Sequence, residues 1–400
     1  MTGGMPEGMT GRGQSRRVFC GGVPIGGGAP IPIQSMTNTS TEDAEATAAQ
    51  IAALAAAGCD IVRCAAPTRE AARALPDIRA RLAARGVSIP IVADIHFDHR
   101  VALAAIEAGA DKIRINPGNI GGRERLKAVV DAAGSAGIPI RIGVNGGSLE
   151  EGLRVLYETN PAEALAESAL RHIDLVRGMG FEGLVVSVKS SDVLINTEAH
   201  RRLAAATDLP LHIGVTEAGF GDAAVVKSAA GIGALLAMGI GDTVRVSLTG
   251  DPVREIAAAR GILRAVNLLP GQITLISCPT CGRCRVDLSA ICGQVAGALR
   301  GVEEERIRGA KRVFRGGEST GTGTLLLREA GGAAALRPII VAVMGCAVNG
   351  PGEASHADLG VACGADGGVY FERGVRKGAV AEDEIAKTVL AGVQKLINVS

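Results

Sequence analysis

The chain has 400 residues, of which 47% are hydrophobic and 21% are charged, a composition typical of a globular protein and not of a disordered or fibrous one. Its 42 lysines and arginines are balanced by 41 aspartates and glutamates, and 2% of its residues are aromatic. We therefore expect no nucleic-acid partner, because the net charge is only +1 and stacking side chains are few. Since no apolar stretch reaches the ~18 residues of a membrane span, we expect no membrane partner either.

The N-terminal segments and the cysteines bear on processing and compartment. Residues 1–16 lack an apolar core and are expected to form a disordered tail. The glycine-rich segment 21–28 precedes the first predicted strand, so we interpret it as a connector and not as a phosphate-binding loop. The 9 cysteines are too sparse for a disulfide scaffold and gather toward the C-terminal third, which favours metal binding in a reducing cytoplasm.

Between residues 30 and 265 a β-branched run, a polar residue or two and an alanine-rich helical stretch recur eight times. The predicted strands are residues 31–37, 61–65, 89–96, 112–116, 138–145, 183–190, 209–216 and 243–248. The helices predicted between them include residues 42–57, 100–108, 163–179 and 223–238. Apolar strands alternating with helices indicate a parallel sheet, and eight units indicate a closed (β/α)8 TIM barrel. The alternative is an open doubly wound sheet, but the first strand-to-helix turn has no GxGxxG.

The pattern changes after residue 267, where short strands over 273–277 and 339–344 alternate with helices in a different order. Residues 301–337 are charged and then rich in glycine, serine and threonine, which is typical of an exposed insertion or mobile loop. The sequence therefore predicts an α/β protein, with a TIM-barrel domain over residues 17–267 and a smaller α+β domain over residues 268–400.

Polar side chains close the predicted barrel strands, at the end where TIM barrels place their active sites. In strand order they are Arg63, Asp94, His96, Arg114, Asn116, Arg141, Asn145, Lys189, Glu217, Arg245 and Ser247. The five cations among them would repel one another unless an anion binds, and a phosphate or diphosphate fits that requirement. The alternative is that each arginine pairs with a local carboxylate in a structural ion pair.

Two cysteine segments in the second domain predict a metal site. Cys278, Cys281 and Cys284 form a C-x2-C-x2-C run, which suits a zinc ion or an iron–sulfur cluster. Residues 346–353 follow a predicted strand, begin with Cys346 and end with the carboxylate of Glu353. Cys292 and Cys363 lie in apolar or glycine-rich surroundings, and we expect them to be structural thiols.

Six segments together resemble the family of 4-hydroxy-3-methylbut-2-enyl diphosphate synthases, iron–sulfur enzymes of the methylerythritol phosphate route to isoprenoids. They are residues 34–39 (QSMTNT), 93–97 (ADIHF), 114–119 (RINPGN), 216–219 (TEAG), 277–283 (SCPTCGR) and 346–353 (CAVNGPGE). The resemblance covers roughly residues 17–300 and 338–397.

The resemblance implies a 4Fe-4S cluster in the second domain, held by Cys278, Cys281, Cys346 and the carboxylate of Glu353. It implies a two-electron reduction of the cyclic diphosphate of methylerythritol, with ring opening and loss of water. The barrel cations would hold the diphosphate, and Glu217 would donate or accept a proton. The family's electron donors are ferredoxin or flavodoxin, and its bacterial members form head-to-tail homodimers.

Cys284 and residues 301–337 depart from the family pattern. If Cys284 were the fourth ligand in place of Glu353, the cluster would only transfer electrons. Two other classes remain as alternatives. A phosphosugar aldolase or pterin-type barrel would use Lys189 as a Schiff-base nucleophile and leave the cysteines to zinc. A plain electron-transfer module would not need five barrel cations.

Overall fold

The computed structural model describes residues 12–315, 337–346, 352, 354–364 and 367–399. The chain divides into two compact units, Met1–Val266 and Asn267–Ser400. No helix within these described ranges is both long enough and apolar enough to cross a membrane.

The first unit alternates strands and helices along the chain. Its strands are β1 (Val18–Cys20), β2 (Val23–Ile25), β3 (Gln34–Met36), β4 (Ile61–Ala65), β5 (Ile91–Asp94), β6 (Lys112–Ile115), β7 (Ile140–Asn145), β8 (Leu184–Lys189), β9 (His212–Ile213) and β10 (Thr243–Val244). Its helices are α1 (Ala44–Ala56), α2 (Arg69–Arg73), α3 (Leu75–Ala84), α4 (His99–Glu107), α5 (Arg123–Ala136), α6 (Glu151–Thr159), α7 (Pro161–Arg177), α8 (Val193–Ala206), α9 (Gly221–Ala237) and α10 (Val253–Ala265).

The parallel strands close into the predicted barrel. Strands β3 to β8 form one six-stranded parallel sheet, and β9 pairs in parallel with β10. Single parallel bridges join Val186 of β8 to Leu211 and Val244 of β10 to Ile33, so the circuit returns to β3. The (β/α)8 architecture is thereby confirmed, although β9 and β10 are much shorter than the predicted strands.

The pairing registers arrange the side chains inside the barrel in layers. A layer perpendicular to the barrel axis advances one residue on each successive strand, and alternate strands supply its four side chains. One layer contains Gln34, Val92, Arg141 and His212; the next toward the carboxyl ends contains Arg63, Arg114, Ser187 and Arg245. Above them lie Met36, Asp94, Gly143 and Gly214, then Ala65, Asn116, Lys189 and Ser247. The cations predicted from the strand ends therefore share a few adjacent layers of one interior.

A hairpin closes the amino-terminal end of the barrel. Strands β1 and β2 pair around Gly21 and Gly22, which have φ angles of 51° and 83°, in the left-handed region that favours glycine. Cys20, Val23 and Ile25 of the hairpin pack against Ile61, Val92 and Val185 inside the barrel. Segment 21–28 is therefore not only a connector, because its first half is part of a structural plug.

Residues 12–16 of the expected disordered tail are held by polar contacts, and residues 1–11 lie outside the described residues. The Ser15 hydroxyl donates a 2.7 Å hydrogen bond to the buried carboxylate of Asp242. Arg16 pairs with Glu182 at 2.7 Å. Residues 12–16 thus pack on the barrel. The prediction was wrong for them because their polar partners are distant in the sequence and were not visible in the local composition.

The second unit is the predicted smaller α+β domain. It contains β11 (Ile273–Ser277), α11 (Leu288–Arg315), β12 (Ile339–Met344), β13 (Leu359–Gly364), β14 (Gly367–Glu372), β15 (Val375–Val380) and α12 (Ile385–Val399). The sheet order follows the chain from β11 to β15; β11, β12 and β13 run parallel, and the last two pairings are antiparallel. The first part of the expected loop at 301–337 is instead helical, as residues 301–315 belong to α11; residues 316–336 lie outside the described residues.

We predict that Lys112 makes the stability of the barrel pH-dependent. Lys112 is 0% exposed, its Nζ has no hydrogen-bond partner among the described residues, and burial lowers its pKa to about 8 despite the nearby thiol of Cys20. Between pH 8 and the unfolded pKa of about 10.4, the folded chain binds fewer protons than the unfolded chain, so stability rises with pH by up to roughly 1.4 kcal/mol per unit.

Urea unfolding followed by circular dichroism from pH 7 to 10 tests this. Lys112→Met should be more stable than the parent at pH 7 and should lose this part of the pH dependence. The exposed Lys127→Met, a matched control on α5, should follow the parent. Parallel stability curves for the parent and Lys112→Met would show that Lys112 keeps an ordinary pKa.

Candidate functional site

A polar cavity of about 160 Å³ opens at the carboxyl ends of the barrel strands. It gathers most of the polar residues expected at the strand ends. It is lined by Arg63, Asp94, His96, Arg114, Arg141, Val144, Asn145, Ser187, Lys189, Val215, Thr216, Arg245 and Ser247.

Two glycines make room for this cavity inside the barrel. Gly143 and Gly214 occupy half of one interior layer, where most TIM barrels place bulky branched side chains. A Cβ on Gly143 would lie 2.5 Å from Nε of Arg114, and one on Gly214 would lie 3.0 Å from Nζ of Lys189. Side chains at these two positions would displace the cations, so the glycines allow the cations to lie in the interior.

Asp94 is the one carboxylate among the described residues that line the cavity. Its oxygens lie 3.5 Å from Nε of Arg63 and 3.2 Å from Nη1 of Arg114. Burial by itself would raise the pKa of Asp94, but the guanidinium groups of Arg63, Arg114 and Arg141 outweigh it and lower this pKa to about 2. Asp94 is therefore ionised at any physiological pH and orients two arginines.

Arg141 and Lys189 are the two cations of the cavity lining that make no ion pair among the described residues. Arg141 is 2% exposed, and its Nε and Nη1 have no hydrogen-bond partner among the described residues. Burial, together with the neighbouring cations, lowers the pKa of Arg141 and of Lys189 well below their ordinary values. A buried cation is stable only when it is paired, so this part of the cavity is built to receive an anion.

Arg245 is held differently, by a carboxylate that the sequence analysis did not identify. Glu255 of α10 is 2% exposed and pairs with Arg245 at 3.0 Å. Its oxygens also accept hydrogen bonds from the Ser35 hydroxyl at 2.7 Å and from the backbone N–H of Leu248 at 3.1 Å. The structural ion-pair alternative thus applies to Arg245. The one signal in the sequence was an acidic residue in the first turn of a helix.

His96 lines the cavity next to Asp94 and Arg114. Its Nε2 lies 3.0 Å from Nη1 of Arg114. Burial and the nearby arginines lower the pKa of His96 more than Asp94 raises it. The imidazole is therefore neutral at pH 7 and accepts a hydrogen bond from Arg114 through Nε2.

Two of the expected barrel residues do not line the cavity. Asn116 is buried, and its Oδ1 accepts a 3.0 Å hydrogen bond from the backbone N–H of Gly118. Glu217 is exposed on the loop after β9, with a left-handed φ of 51° that is uncommon for a residue other than glycine. Conversely, Ser187 and Thr216 line the cavity but were missed. Ser187 lies two residues before Lys189 on the same strand face, which was the signal available for it.

In the second unit, two neighbouring parallel strands end beside each other and bring cysteines together. Ser277 at the end of β11 pairs with Val343 of β12, so Cys278 and Gly345 follow adjacent strand ends. The backbone N–H of Gly345 donates to Sγ of Cys278 at 3.3 Å. A Cβ on Gly345 would lie 2.7 Å from Sγ of Cys284 and 3.5 Å from Sγ of Cys278, so Cys284 lies next to Cys278.

The remaining expected ligands are placed less closely. Cys281 is exposed, and the backbone N–H of Arg283 lowers the pKa of its thiol. Cys346 is half-buried just after Gly345, and Glu353 lies outside the described residues. Across the described part of the chain every cysteine is free, and no three His, Cys, Asp or Glu side chains converge at metal-binding distances.

The two expected structural thiols pack on the core of the second unit. Cys363 is buried within it, and Cys292 is half-buried against it. Burial raises the pKa of both thiols, to about 11 for Cys363, so they are protonated at pH 7.

Comparison with known proteins places this chain among related sequences. The GcpE TIM-barrel domain matches residues 15–260, and the GcpE protein C-terminal domain matches residues 326–395. The chain is 46% identical over 391 residues to 4-hydroxy-3-methylbut-2-en-1-yl diphosphate synthase (flavodoxin) of Bacillus subtilis (strain 168), covering 98% of this chain and 93% of that protein.

The protein of the same name in Geobacter sulfurreducens is 45% identical over 384 residues, 96% of this chain and 98% of that protein. Among solved structures, dihydropteroate synthase from Xanthomonas albilineans in complex with 7,8-dihydropteroate matches with a TM-score of 0.42 and 18% identity, over 64% of this chain and 100% of that one. The two family domains and the near full-length relatives show that the chain belongs to the GcpE family.

Proposed function

We propose that the chain reduces 2-C-methyl-D-erythritol 2,4-cyclodiphosphate to 4-hydroxy-3-methylbut-2-enyl diphosphate in isoprenoid biosynthesis. In the neutral forms, two electrons and two protons enter, the ring C–O bond to phosphate breaks, and one water leaves. The observation that carries this is the buried guanidinium of Arg141 beside the half-buried Lys189, in a cavity lined by a single carboxylate among the described residues. A diphosphate supplies the negative charge that this cavity lacks.

The barrel residues would bind and orient the substrate. Arg141 and Lys189 would contact the phosphate oxygens, with Arg63 and Arg114 held in place by Asp94. Asn145 and Ser247, which line the cavity, and Asn116 would donate further hydrogen bonds. The exposed carboxylate of Glu217 can carry a proton to or from solvent, and we propose it as the proton donor or acceptor.

The cysteines of the second unit fit an iron–sulfur group. They are unbridged thiols, and the Gly345 N–H that donates to Cys278 is the kind of backbone hydrogen bond that tunes cluster sulfur. We propose that Cys278, Cys281 and Cys346 and the carboxylate of Glu353 hold a 4Fe-4S cluster. When bound, such a cluster supplies electrons for the reduction.

The partners follow from the relatives and from the family resemblance. The relatives carry flavodoxin in their names, which supports flavodoxin over ferredoxin as the electron donor. The resemblance supports a head-to-tail homodimer, and the free cysteines support a reducing cytoplasm.

We predict that replacing either unbalanced cation weakens substrate binding. Arg141→Met and Lys189→Met each remove a charge-assisted contact of about 1.5–3 kcal/mol, which is roughly a ten- to hundredfold loss of affinity. Calorimetric titration of the oxidised holoenzyme with the cyclic diphosphate measures this without turnover. Lys127→Met, on an exposed surface, is the control. Unchanged affinity in both cavity variants would place the diphosphate elsewhere.

Substrate binding should also take up a proton at Lys189. Burial and nearby cations lower the pKa of Lys189 in the free protein, and a bound anion raises it again. Affinity should therefore fall as the pH rises, and the binding enthalpy should depend on the ionisation enthalpy of the buffer. This dependence should disappear in Lys189→Met; its persistence there would assign the proton to another group.

We predict that the anaerobically purified chain contains iron and labile sulfide in the ratio of one 4Fe-4S cluster, with absorbance near 400 nm. Cys278→Ser, Cys281→Ser and Cys346→Ser should lose the cluster, because each removes a thiolate ligand. Cys284→Ser is the matched control from the same segment and should retain it. Stoichiometric zinc without sulfide would favour the aldolase-like or pterin-type alternative.

Glu353→Ala should separate cluster retention from activity. Three thiolates remain in this variant, and a carboxylate binds iron less tightly than a thiolate does, so much of the iron and sulfide should stay. Activity should fall steeply, because the carboxylate would adjust the reactivity of the one iron that the three thiolates do not hold. Near-normal turnover in Glu353→Ala would exclude Glu353 from the site.

A further inference from the structure

His172 of α7 is a buried histidine that lies beside the cavity loops and has no assigned role. It is 3% exposed, and its Nε2 lies 3.0 Å from Oε1 of Glu150. Burial lowers its pKa although Glu150 raises it, so the ring is neutral and donates through Nε2. Both groups lie outside the cavity lining and are not explained by substrate contact.

Glu150 ties the loop after β7 to helix α7. It directly precedes α6, and the residues between it and Asn145 form the end of the β7 loop. Its other oxygen, Oε2, accepts a 2.7 Å hydrogen bond from the Ser168 hydroxyl. Ser168 and His172 are four residues apart and therefore lie on one face of α7. Both carboxylate oxygens are thus fixed, and with them the loop that begins at Asn145.

The same imidazole also supports the loop after β6. A Cβ on Gly118 would lie 3.2 Å from Nε2 of His172 and 3.3 Å from Oδ1 of Asn116, so the backbone there packs directly on the ring. The Gly118 N–H in turn donates to Oδ1 of Asn116 at 3.0 Å. The orientation of the Asn116 amide therefore depends on a backbone segment that rests on His172.

We infer that His172 and Glu150 form a positioning pair that holds the two asparagine-bearing loops of the substrate site, after β6 and after β7, in one fixed arrangement. This rests on the proposed function for the identity of the substrate. His172 is a positioning residue, since it acts through Asn116 and Asn145. A shift of about 1 Å in such groups can lower the rate a hundredfold, so the pair can affect substrate binding and catalysis without contacting the substrate.

The test is substrate affinity of the oxidised holoenzyme, measured by calorimetric titration with the cyclic diphosphate. His172→Ala and Glu150→Ala should each weaken binding roughly tenfold or more, and the double variant should be no weaker than either single one, because both remove the same unit. His172→Gln should recover most of the affinity, since its amide N–H can still donate to Glu150. Iron and sulfide content should stay at the parent value throughout.

Leu165→Ala is the matched control. Leu165 is a fully buried core residue of the same helix, so its truncation destabilises α7 while leaving His172, Glu150 and Ser168 unchanged. It should lower the unfolding midpoint while leaving affinity unchanged. If His172→Ala does not fold, Glu150→Ala carries the test, because it removes the same pair from outside helix α7.

The outcomes separate this inference from the proposed function. A parent protein that does not bind the cyclic diphosphate would overturn the proposed function itself. A parent that binds it, with His172→Ala or Glu150→Ala binding equally well, would overturn the positioning role alone. Loss of affinity in Leu165→Ala to the same extent would also overturn it, since the effect would then follow from helix stability. Weakened binding that His172→Gln restores would establish the role.

Discussion

The imbalance of charge inside the barrel is the constraint on which the rest of this structure depends. The guanidinium groups of Arg63 and Arg141 are buried in adjacent layers, next to further cations that are half-buried, and Asp94 is the single carboxylate among the described residues that line the cavity. Buried cations without counter-charges destabilise a fold by several kcal/mol each. Lys112 bears this cost near the amino-terminal end of the barrel, and in the cavity Gly143 and Gly214 leave space in which the anion we propose would supply the missing charge.

The other arginines of the cavity are paired with carboxylates of the protein itself. Glu255 neutralises Arg245 from behind the strand, and Asp94 orients Arg63 and Arg114. Arg141 differs from these arginines, because it makes no ion pair among the described residues and two of its buried nitrogens have no hydrogen-bond partner there. The pair of His172 and Glu150 differs from both, because it lies outside the cavity and is inferred to hold loops in place.

The sequence predicted features that depend on local pattern and missed those that depend on tertiary contacts. Strand β4 was predicted to the residue, because its β-branched start follows Asp60 and a proline comes two residues after its end, and the strand-end rule found the cavity cations. Glu255 and His172 were missed, since nothing in a helix sequence tells which polar side chain turns inward. A strand was predicted over residues 209–216, but only His212–Ile213 form one. An apolar segment can also be buried with an irregular backbone, and its sequence does not distinguish the two cases. The β1–β2 hairpin was interpreted as a linker because the residues that fill the barrel end are few and are separated by glycines.

That hairpin has a kinetic consequence. By filling the amino-terminal end of the barrel with Cys20, Val23 and Ile25, it closes that end of the interior within the described part of the chain, and the cavity lies at the carboxyl ends of the strands. A molecule bound in the cavity would therefore enter and leave at that end. A product that keeps the diphosphate also keeps the charge that retained its precursor. Departure of the product is then an uphill step of the same electrostatic origin as capture, and product and substrate exclude each other by simple competition.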